Sequence, residues 1–367
     1  MKILVLSSHT PSLFWFRKDM MLSFIALGHE VVAVGNEPED EWGPKFHEIG
    51  IKYLAANIQR NGTNPIRDLK TLSSLKKIIK RECPDKIFAY QAKTVIYGCL
   101  AAKSVGVEIF PMIAGVGSVF LSDSFKGRIV RFILKKEYKA ALKYASKVFF
   151  QNSDDVELFE KLKILNHEKI VMLRGSGVNL RVFIPEQLPL KTTFLFTGRL
   201  IKDKGVVEYL EAARIVKKNH SNVRFLLVGP FDSNPTSLKP EQIQEYVDEG
   251  IIEFFGEQTD VRPYLKQCSV FVLPSYREGT PKTVLEAMAT GRAIITTDAP
   301  GCKETVRDGV NGYLVPVKDV SAIVDKMLLF INSPEKIQEM AQSGRKIAEE
   351  IFDVEKVNKV IIDTMNI

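Results

Sequence analysis

Val270-Phe271-Val272-Leu273-Pro274-Ser275-Tyr276-Arg277-Glu278-Gly279-Thr280-Pro281-Lys282-Thr283-Val284-Leu285-Glu286-Ala287-Met288-Ala289-Thr290-Gly291 reads as a buried strand, a loop and a helix in succession. The apolar run Val270–Leu273 is strand-like, Thr280 is placed to cap a helix, Pro281 suits the first helical position, and Gly291 falls just past the end. A loop at the C-terminal end of a parallel strand, leading into a helix N-terminus, is where α/β sheets bind ligands. The free N–H groups there suit a diphosphate, and the helix dipole adds roughly half a positive charge.

The same rhythm extends in both directions. Upstream lie strand-like Thr193–Thr197, Val223–Val228 and Ile252–Phe255, with a helical pattern over Gly205–Lys218; downstream, Ile294–Thr297 follows. Before residue 185 the alternation recurs: Ile3–Leu6, a helix Lys18–Leu27 ending at Gly28, Val31–Val34, a helix Leu69–Arg81, and Lys86–Tyr90. Two α/β halves with parallel sheets are therefore expected, joined near Val182–Lys191, where Pro185 and Pro189 interrupt any periodicity. The expected division is 1–184, 185–350, and a C-terminal helix over 351–367 packing back on the first half. At 367 residues the chain is about twice the usual single-domain length, which agrees.

Composition removes several classes. A mean hydropathy of −0.02, and no run near the roughly 20 apolar residues that cross a bilayer, argue against a membrane span. The apolar start Met1–Leu6 is too short for a signal-peptide core, so a cytoplasmic location is expected. Cys83, Cys99, Cys268 and Cys302 are scattered without zinc or disulfide spacing. No Asp-x-Asp pair, P-loop or G-x-G-x-x-G is present, so no metal site and no cofactor are expected. A net charge of +7 suits a solvated surface better than a nucleic-acid partner.

Seven residues separate Glu278 from Glu286. A carboxylate accepts two hydrogen bonds in a fork, which grips the vicinal hydroxyls of a sugar or ribose; an exposed loop Glu and an exposed helical Glu would show the same spacing. Phe194–Gly205 is a second strand entering a Gly-bearing loop, and it places Arg199 and Lys204 above the sheet edge, where cations could neutralise a departing nucleoside diphosphate or remain solvated.

These residues resemble the retaining GT-B enzymes of glycosyltransferase family four. The resemblance rests on Leu273-Pro274-Ser275 before Glu278 and Glu286, on Gly198-Arg199-Leu200 with Lys204-Gly205, and on Gly175-Ser176-Gly177-Val178-Asn179-Leu180 with Phe183, although the Asn that leads this turn in the family is replaced. It implies two Rossmann-like domains whose parallel sheets face a central cleft, with the donor, a nucleotide-diphosphate sugar, held by the second half. Glu286 would then bind the ribose and Glu278 the transferred sugar. Arg199 and Lys204 would bind the diphosphate, and Gly198, Gly279, Thr280, Pro281, Lys282 and Thr283 would complete the donor site. Arg199, Lys204 and Glu278 are the expected catalytic set.

The first half is less explicit. The stretch Ser8–Arg17, read as a loop, lies where family members approach donor and acceptor, often with a Gly-Gly pair that is absent here; His9, Thr10 and Arg17 are its candidates. Ile113–Ser118, with Gly115 and Gly117, is a second wall, and at its position many relatives carry a histidine. Lys93 is either a cleft residue or a solvated one.

Lys126–Lys147 reads as a helix in which Arg131, Lys135, Lys139, Lys143 and Lys147 recur every fourth residue beside an apolar face. It suits an anionic membrane or a lipid diphosphate, or else a core helix with a basic edge. The Ile113–Ser118 loop, Phe16-Arg17 and Asp298–Thr305 further resemble bacterial transferases that extend undecaprenyl-diphosphate-linked sugars, among them N-acetylgalactosaminyltransferases that build lipid-linked oligosaccharides. The expected partners are accordingly a UDP-sugar, a polyprenyl-diphosphate-linked acceptor and the inner membrane face. The rival readings are a transferase for lipopolysaccharide core or a soluble acceptor, a UDP-sugar epimerase, and a nucleotide-binding module without turnover.

Overall fold

The computed structural model of the chain describes residues 1–59, 62, 64–116 and 125–367, the side chain of residue 126 excepted. It divides into two compact units, Met1–Ser176 with Val354–Ile367, and Gly177–Asp353.

The first unit alternates β1 (Lys2–Ser7), α1 (Thr10–Ala26), β2 (Glu30–Gly35), α2 (Glu39–His47), β3 (Lys52–Ala55), α3 (Pro65–Glu82), β4 (Lys86–Tyr90), α4 (Ala92–Val105), β5 (Glu108–Ile113), α5 (Phe125–Leu142), β6 (Val148–Phe150), α6 (Ser153–Lys161) and β7 (Ile170–Met172). The strands form one parallel sheet in the order β3-β2-β1-β4-β5-β6-β7, so the winding direction reverses between β1 and β4. Both faces are covered: Leu4 and Leu6 pack under α3 to α6, while Ile3 and Val5 pack under α1 and α2. This double burial is why β1 reads as an unbroken apolar run rather than an alternating one.

Three helix boundaries differ from the expectation by several residues, the first being α3, which starts at Pro65 rather than Leu69. The helix α1 starts at Thr10, not Lys18, because Pro11 presets the first turn and Leu13 and Phe14 already face the core. The helix α5 stops at Leu142, which leaves Lys143 and Lys147 beyond it; the latter donates to the Glu168 carbonyl at 2.8 Å. Of the five-cation stripe, only Arg131, Lys135 and Lys139 lie on the helix.

The second unit runs through β8 (Thr193–Thr197), α7 (Val206–Lys217), β9 (Arg224–Val228), α8 (Pro240–Asp248), β10 (Glu253–Phe254), α9 (Arg262–Lys266), β11 (Val270–Leu273), α10 (Lys282–Ala289), β12 (Ala293–Thr297), β13 (Gly312–Val315), α11 (Val320–Asn332) and α12 (Pro334–Ile351). Its parallel sheet has the order β10-β9-β8-β11-β12-β13, with the reversal between β8 and β11.

The division at Ser176–Gly177 precedes the proline-bearing segment because that segment is bound to the second unit. The fully buried Arg292 donates to the carbonyls of Glu186 at 3.0 Å and Gln187 at 3.2 Å, and Arg345 donates to that of Phe183 at 2.8 Å. The last helix, α13 (Val354–Met365), belongs to the first unit, where Asn358 Nδ2 donates to Ser23 Oγ at 3.0 Å and Lys86 Nζ to the Met365 carbonyl.

Candidate active site

Both sequence motifs of the second half end at the strand reversal between β8 and β11, the position where an open α/β sheet leaves a crevice. After β8 the chain passes Gly198, Arg199 and Leu200 and makes a 3-10 turn over Lys202–Lys204. Gly205 follows at φ +73°, and a Cβ there would stand 2.1 Å from the Pro274 carbonyl oxygen, so glycine is what lets the two loops approach. Their contact is closed by the Tyr276 N–H, which donates to the Asp203 carbonyl at 2.9 Å, and by Tyr276 Oη, which donates to Glu208 Oε1 at 2.6 Å.

Glu278 sits where these loops meet. Lys204 Nζ donates to its Oε1, and Ser275 Oγ donates to the same oxygen at 2.7 Å. Its main chain is held as well: the Glu278 N–H donates to the Pro300 carbonyl at 2.9 Å, and a Cβ on Gly301, at φ +81°, would lie 2.3 Å from the Glu278 carbonyl oxygen. Arg199 Nη1 donates to Asp232 Oδ2 at 2.9 Å, with the Arg199 side chain 42% exposed. Each expected diphosphate cation thus has an acidic partner that fixes its direction. Asp232 follows the Gly229-Pro230 turn after β9, and neither it nor Glu208 is singled out by the sequence motifs.

The helix α10 begins at Lys282, with Pro281 as the capping residue at ψ 107°, one position later than Thr280 capping would give. The amides of Lys282 and Thr283 therefore form the first turn, beside the buried Gly279 and half-buried Thr280. Glu286, one turn further on, is half-buried, and no described residue donates a hydrogen bond to its carboxylate. Burial pushes it up to about 7; Lys282 opposes this and Asp260 adds to it. An unbonded carboxylate beside a helix N-terminus can accept two hydroxyls of a diol.

The sign of this shift is testable. The folded state keeps the proton between the ordinary 4.5 and about 7, where the unfolded chain has released it, so stability is present in full at low pH and is lost as pH rises through about 7. Glu286→Gln is expected to raise the Tm at pH 8, by up to roughly 3 kcal/mol of stability, and to leave it unchanged near pH 5. The same variant should bind UDP at least tenfold more weakly at pH 8. Thermal unfolding at the two pH values with UDP titration checks both, and an equal Tm difference at each pH would remove the buried ionisation.

The first-unit candidates do not form one cluster. His9 is the half-buried capping residue of α1. Thr10 is internal: its Oγ1 shares a hydrogen bond with Tyr53 Oη at 2.8 Å. Lys93 is neither cleft-lining nor solvated but buried in a 2.6 Å ion pair with Asp68, because the first turn of α4 faces α3. Arg17 is buried on α1. Gly115, at φ +104°, follows β5, and Gly117 lies outside the described residues. Arg131 and Lys135 are half-buried on α5, and Lys139 is exposed.

What the first strand reversal does gather is Gln91, whose Oε1 accepts from Ser7 Oγ at 3.0 Å, Ser8 N–H at 2.9 Å and Ser8 Oγ at 2.8 Å. Its backbone, at φ 73° and ψ 146°, is a strained conformation for a side-chain-bearing residue. Among the described residues no three His, Cys, Asp or Glu side chains group as a metal site.

A parallel α/β unit with a Lys–Glu pair, a directed arginine and an open carboxylate around one helix N-terminus is the kind of unit that holds a nucleoside diphosphate. Residues 183–347 match the profile of the glycosyl transferases group 1, and residues 2–152 that of the glycosyl transferase 4-like proteins. The chain is 30% identical, over 95% of its length and 94% of the relative's, to the N,N'-diacetylbacillosaminyl-diphospho-undecaprenol alpha-1,3-N-acetylgalactosaminyltransferase of Campylobacter jejuni. It is 28% identical, over 80% of its length and 79% of the relative's, to the UDP-Gal:alpha-D-GlcNAc-diphosphoundecaprenol alpha-1,3-galactosyltransferase of Escherichia coli.

Among solved structures, the sucrose-phosphate synthase of Thermosynechococcus elongatus superimposes with a TM-score of 0.82 at 19% identity, covering 100% of this chain and 98% of that one. The Anabaena protein HepE in complex with UDP superimposes with a TM-score of 0.78 at 16% identity, covering 100% and 99%. The chain belongs to the group 1 glycosyltransferases of family four and has the GT-B fold. It is a glycosyltransferase.

Proposed function

We propose that this glycosyltransferase moves an N-acetylhexosamine, N-acetylgalactosamine first among the choices, from a UDP-sugar to an undecaprenyl-diphosphate-linked saccharide. Transfer retains the anomeric configuration and needs no metal ion. The observation that carries the donor half of this reading is Glu278, oriented by Lys204 and Ser275 in the loop that leads into α10, the helix that carries the open Glu286. Side-chain cations then take the place a divalent ion would have: Lys204 and Arg199 neutralise charge on the departing diphosphate, while Glu278 grips sugar hydroxyls and Glu286 the ribose. With no protein nucleophile assigned, the acceptor attacks on the face the leaving group vacates. The acceptor and the donor base are supported by the two bacterial relatives, whose names specify diphospho-undecaprenol acceptors and, for the second, UDP-Gal.

The membrane part of the proposal rests on α5. Phe125 is 79% and Phe132 61% exposed, with Ile129 and Ile133 also open, on a helix that carries Arg128, Arg131, Lys135, Lys136 and Lys139 against a single acid, Glu137. No described helix is long and apolar enough to cross a membrane. Exposed rings among cations suit the anionic inner face of a bilayer, where a lipid-linked acceptor is presented.

The donor test is titration with UDP, GDP and ADP with and without magnesium, followed by transfer from UDP-GalNAc, UDP-Gal and UDP-GlcNAc to a synthetic undecaprenyl-diphosphate-linked sugar in EDTA. Metal-independent UDP binding and an α-linked product from UDP-GalNAc are expected. Preference for UDP-Gal would change the sugar alone, a change in the donor without acceptor would make the protein an epimerase, and loss of activity in EDTA would end the metal-free mechanism. In flotation with phosphatidylglycerol vesicles, Phe125→Ser with Phe132→Ser should weaken binding at least tenfold, since each ring contributes more than ~1 kcal/mol on leaving water. Unchanged flotation would remove α5 as the membrane face.

A further inference from the structure

Three cations are buried among the described residues, and two of them are satisfied: Lys93 by Asp68, and Arg292 by backbone carbonyls. Arg17 is the exception. Its side chain is 3% exposed, its Nε has no partner, and its Nη2 reaches only Met112 Sδ at 3.5 Å, while the guanidinium lies 4.9 Å from the centre of the Tyr90 ring. No carboxylate is among the groups that act on it. Removing a charge from water without an opposite charge is strongly unfavourable, and a thioether is a weak acceptor.

The same sulfur receives a second donor, since Gln151 Nε2, which also donates to Ser176 Oγ at 3.4 Å, lies 3.8 Å from Met112 Sδ on a side chain that is itself buried. A cationic donor from α1 and an amide donor from the end of β6 thus converge on one flexible side chain near the C-terminal end of β5. Tyr90, under the guanidinium, is the last residue of β4, beside the strand reversal of the first sheet. This is the edge on which α/β sheets take ligands.

We infer that Arg17 and Gln151 form an anion subsite that takes a phosphate oxygen of the acceptor diphosphate in the position Met112 Sδ now holds. The inference rests on the lipid-diphosphate reading of the acceptor, because phosphate is the anion such an acceptor carries. Met112, with three rotatable bonds, can swing aside, and the oxygen then receives one charge-assisted and one neutral hydrogen bond. The competing reading is structural: Arg17 stacked on Tyr90 as a strut between α1 and the sheet.

Thermal unfolding of the full chain separates the two. UDP is held at saturation so that the cations of the second unit are occupied, and inorganic pyrophosphate is added. The wild type should gain several degrees. Arg17→Met should gain none while having a basal Tm equal to or above that of the wild type, because an apolar isostere relieves an unpaired buried charge. Gln151→Leu, which leaves the stack on Tyr90 in place, should weaken pyrophosphate binding about tenfold.

In turnover, Arg17→Met should raise the KM for the lipid-diphosphate acceptor at least tenfold with unchanged UDP affinity. No pyrophosphate shift in the wild type, an equal shift in both variants, or a basal Tm several degrees lower in Arg17→Met would each overturn the subsite. Transfer to acceptors lacking phosphate, with the pyrophosphate shift intact, would instead overturn the acceptor assignment and leave the anion subsite standing.

Discussion

Glu278→Ala is expected to lower kcat at least a thousandfold, about 4 kcal/mol of transition-state stabilisation, in a protein that still folds and still binds UDP. The carboxylate is not a loop ornament: Lys204 Nζ and Ser275 Oγ fix one oxygen, while Pro300 and Gly301 hold the main chain behind it. The backbone contacts survive truncation, so the loop keeps its path. What is lost is the acceptor for Lys204, a partly buried pair whose rupture costs roughly 1–3 kcal/mol and should appear as a Tm lowered by a few degrees. Lys204→Ala combined with Glu278→Ala should cost much less than the product of the single effects, because the two side chains act as one contact. Turnover of Glu278→Ala within tenfold of wild type, at normal Tm, would remove this loop from the sugar site.

Arg199→Ala is the second large effect, a hundred- to thousandfold loss of kcat, about 3–4 kcal/mol, from a side chain 42% exposed. An exposed ion pair of structural use only would be worth no more than about 1 kcal/mol and would leave the rate alone. Asp232 separates the roles further. It orients the guanidinium without carrying the charge, so Asp232→Ala should lose only about tenfold, with the donor KM changing little. Steady-state kinetics on both variants check this pair of values; equal losses would mean that Asp232 itself touches the donor, and no loss in either would reduce the pair to surface decoration.

Much of the donor unit is legible because its signals are local. The strand Val270–Leu273 and a helix ending before Gly291 follow from an apolar run and a C-terminal glycine; only the start moves by one residue, since Pro281 adopts an extended ψ. The expected helix over Gly205–Lys218 matches α7, Val206–Lys217, to within a residue at each end. In the first unit the same reasoning falls short where tertiary burial rather than residue type sets the boundary: Ser8–Arg17, with Pro11 near its start, reads as a loop, yet Leu13 and Phe14 are core and the helix begins at Thr10. Lys93 is a basic residue between Gln91 and Thr94, and nothing within four positions announces Asp68, which lies on another helix and absorbs its charge.

The sequence by itself determined two parallel α/β halves, the loop that carries Glu278, and the presence of Arg199, Lys204 and Glu286, because turn chemistry, caps and apolar periodicity are written in neighbouring residues. Only the tertiary structure decided which charges meet. Lys204 with Glu278 spans 74 positions, Arg199 with Asp232 spans 33, and Arg17 is left without a carboxylate. Charge pairing depends on through-space distance and on burial, both of which arise only when strands distant in the chain lie side by side.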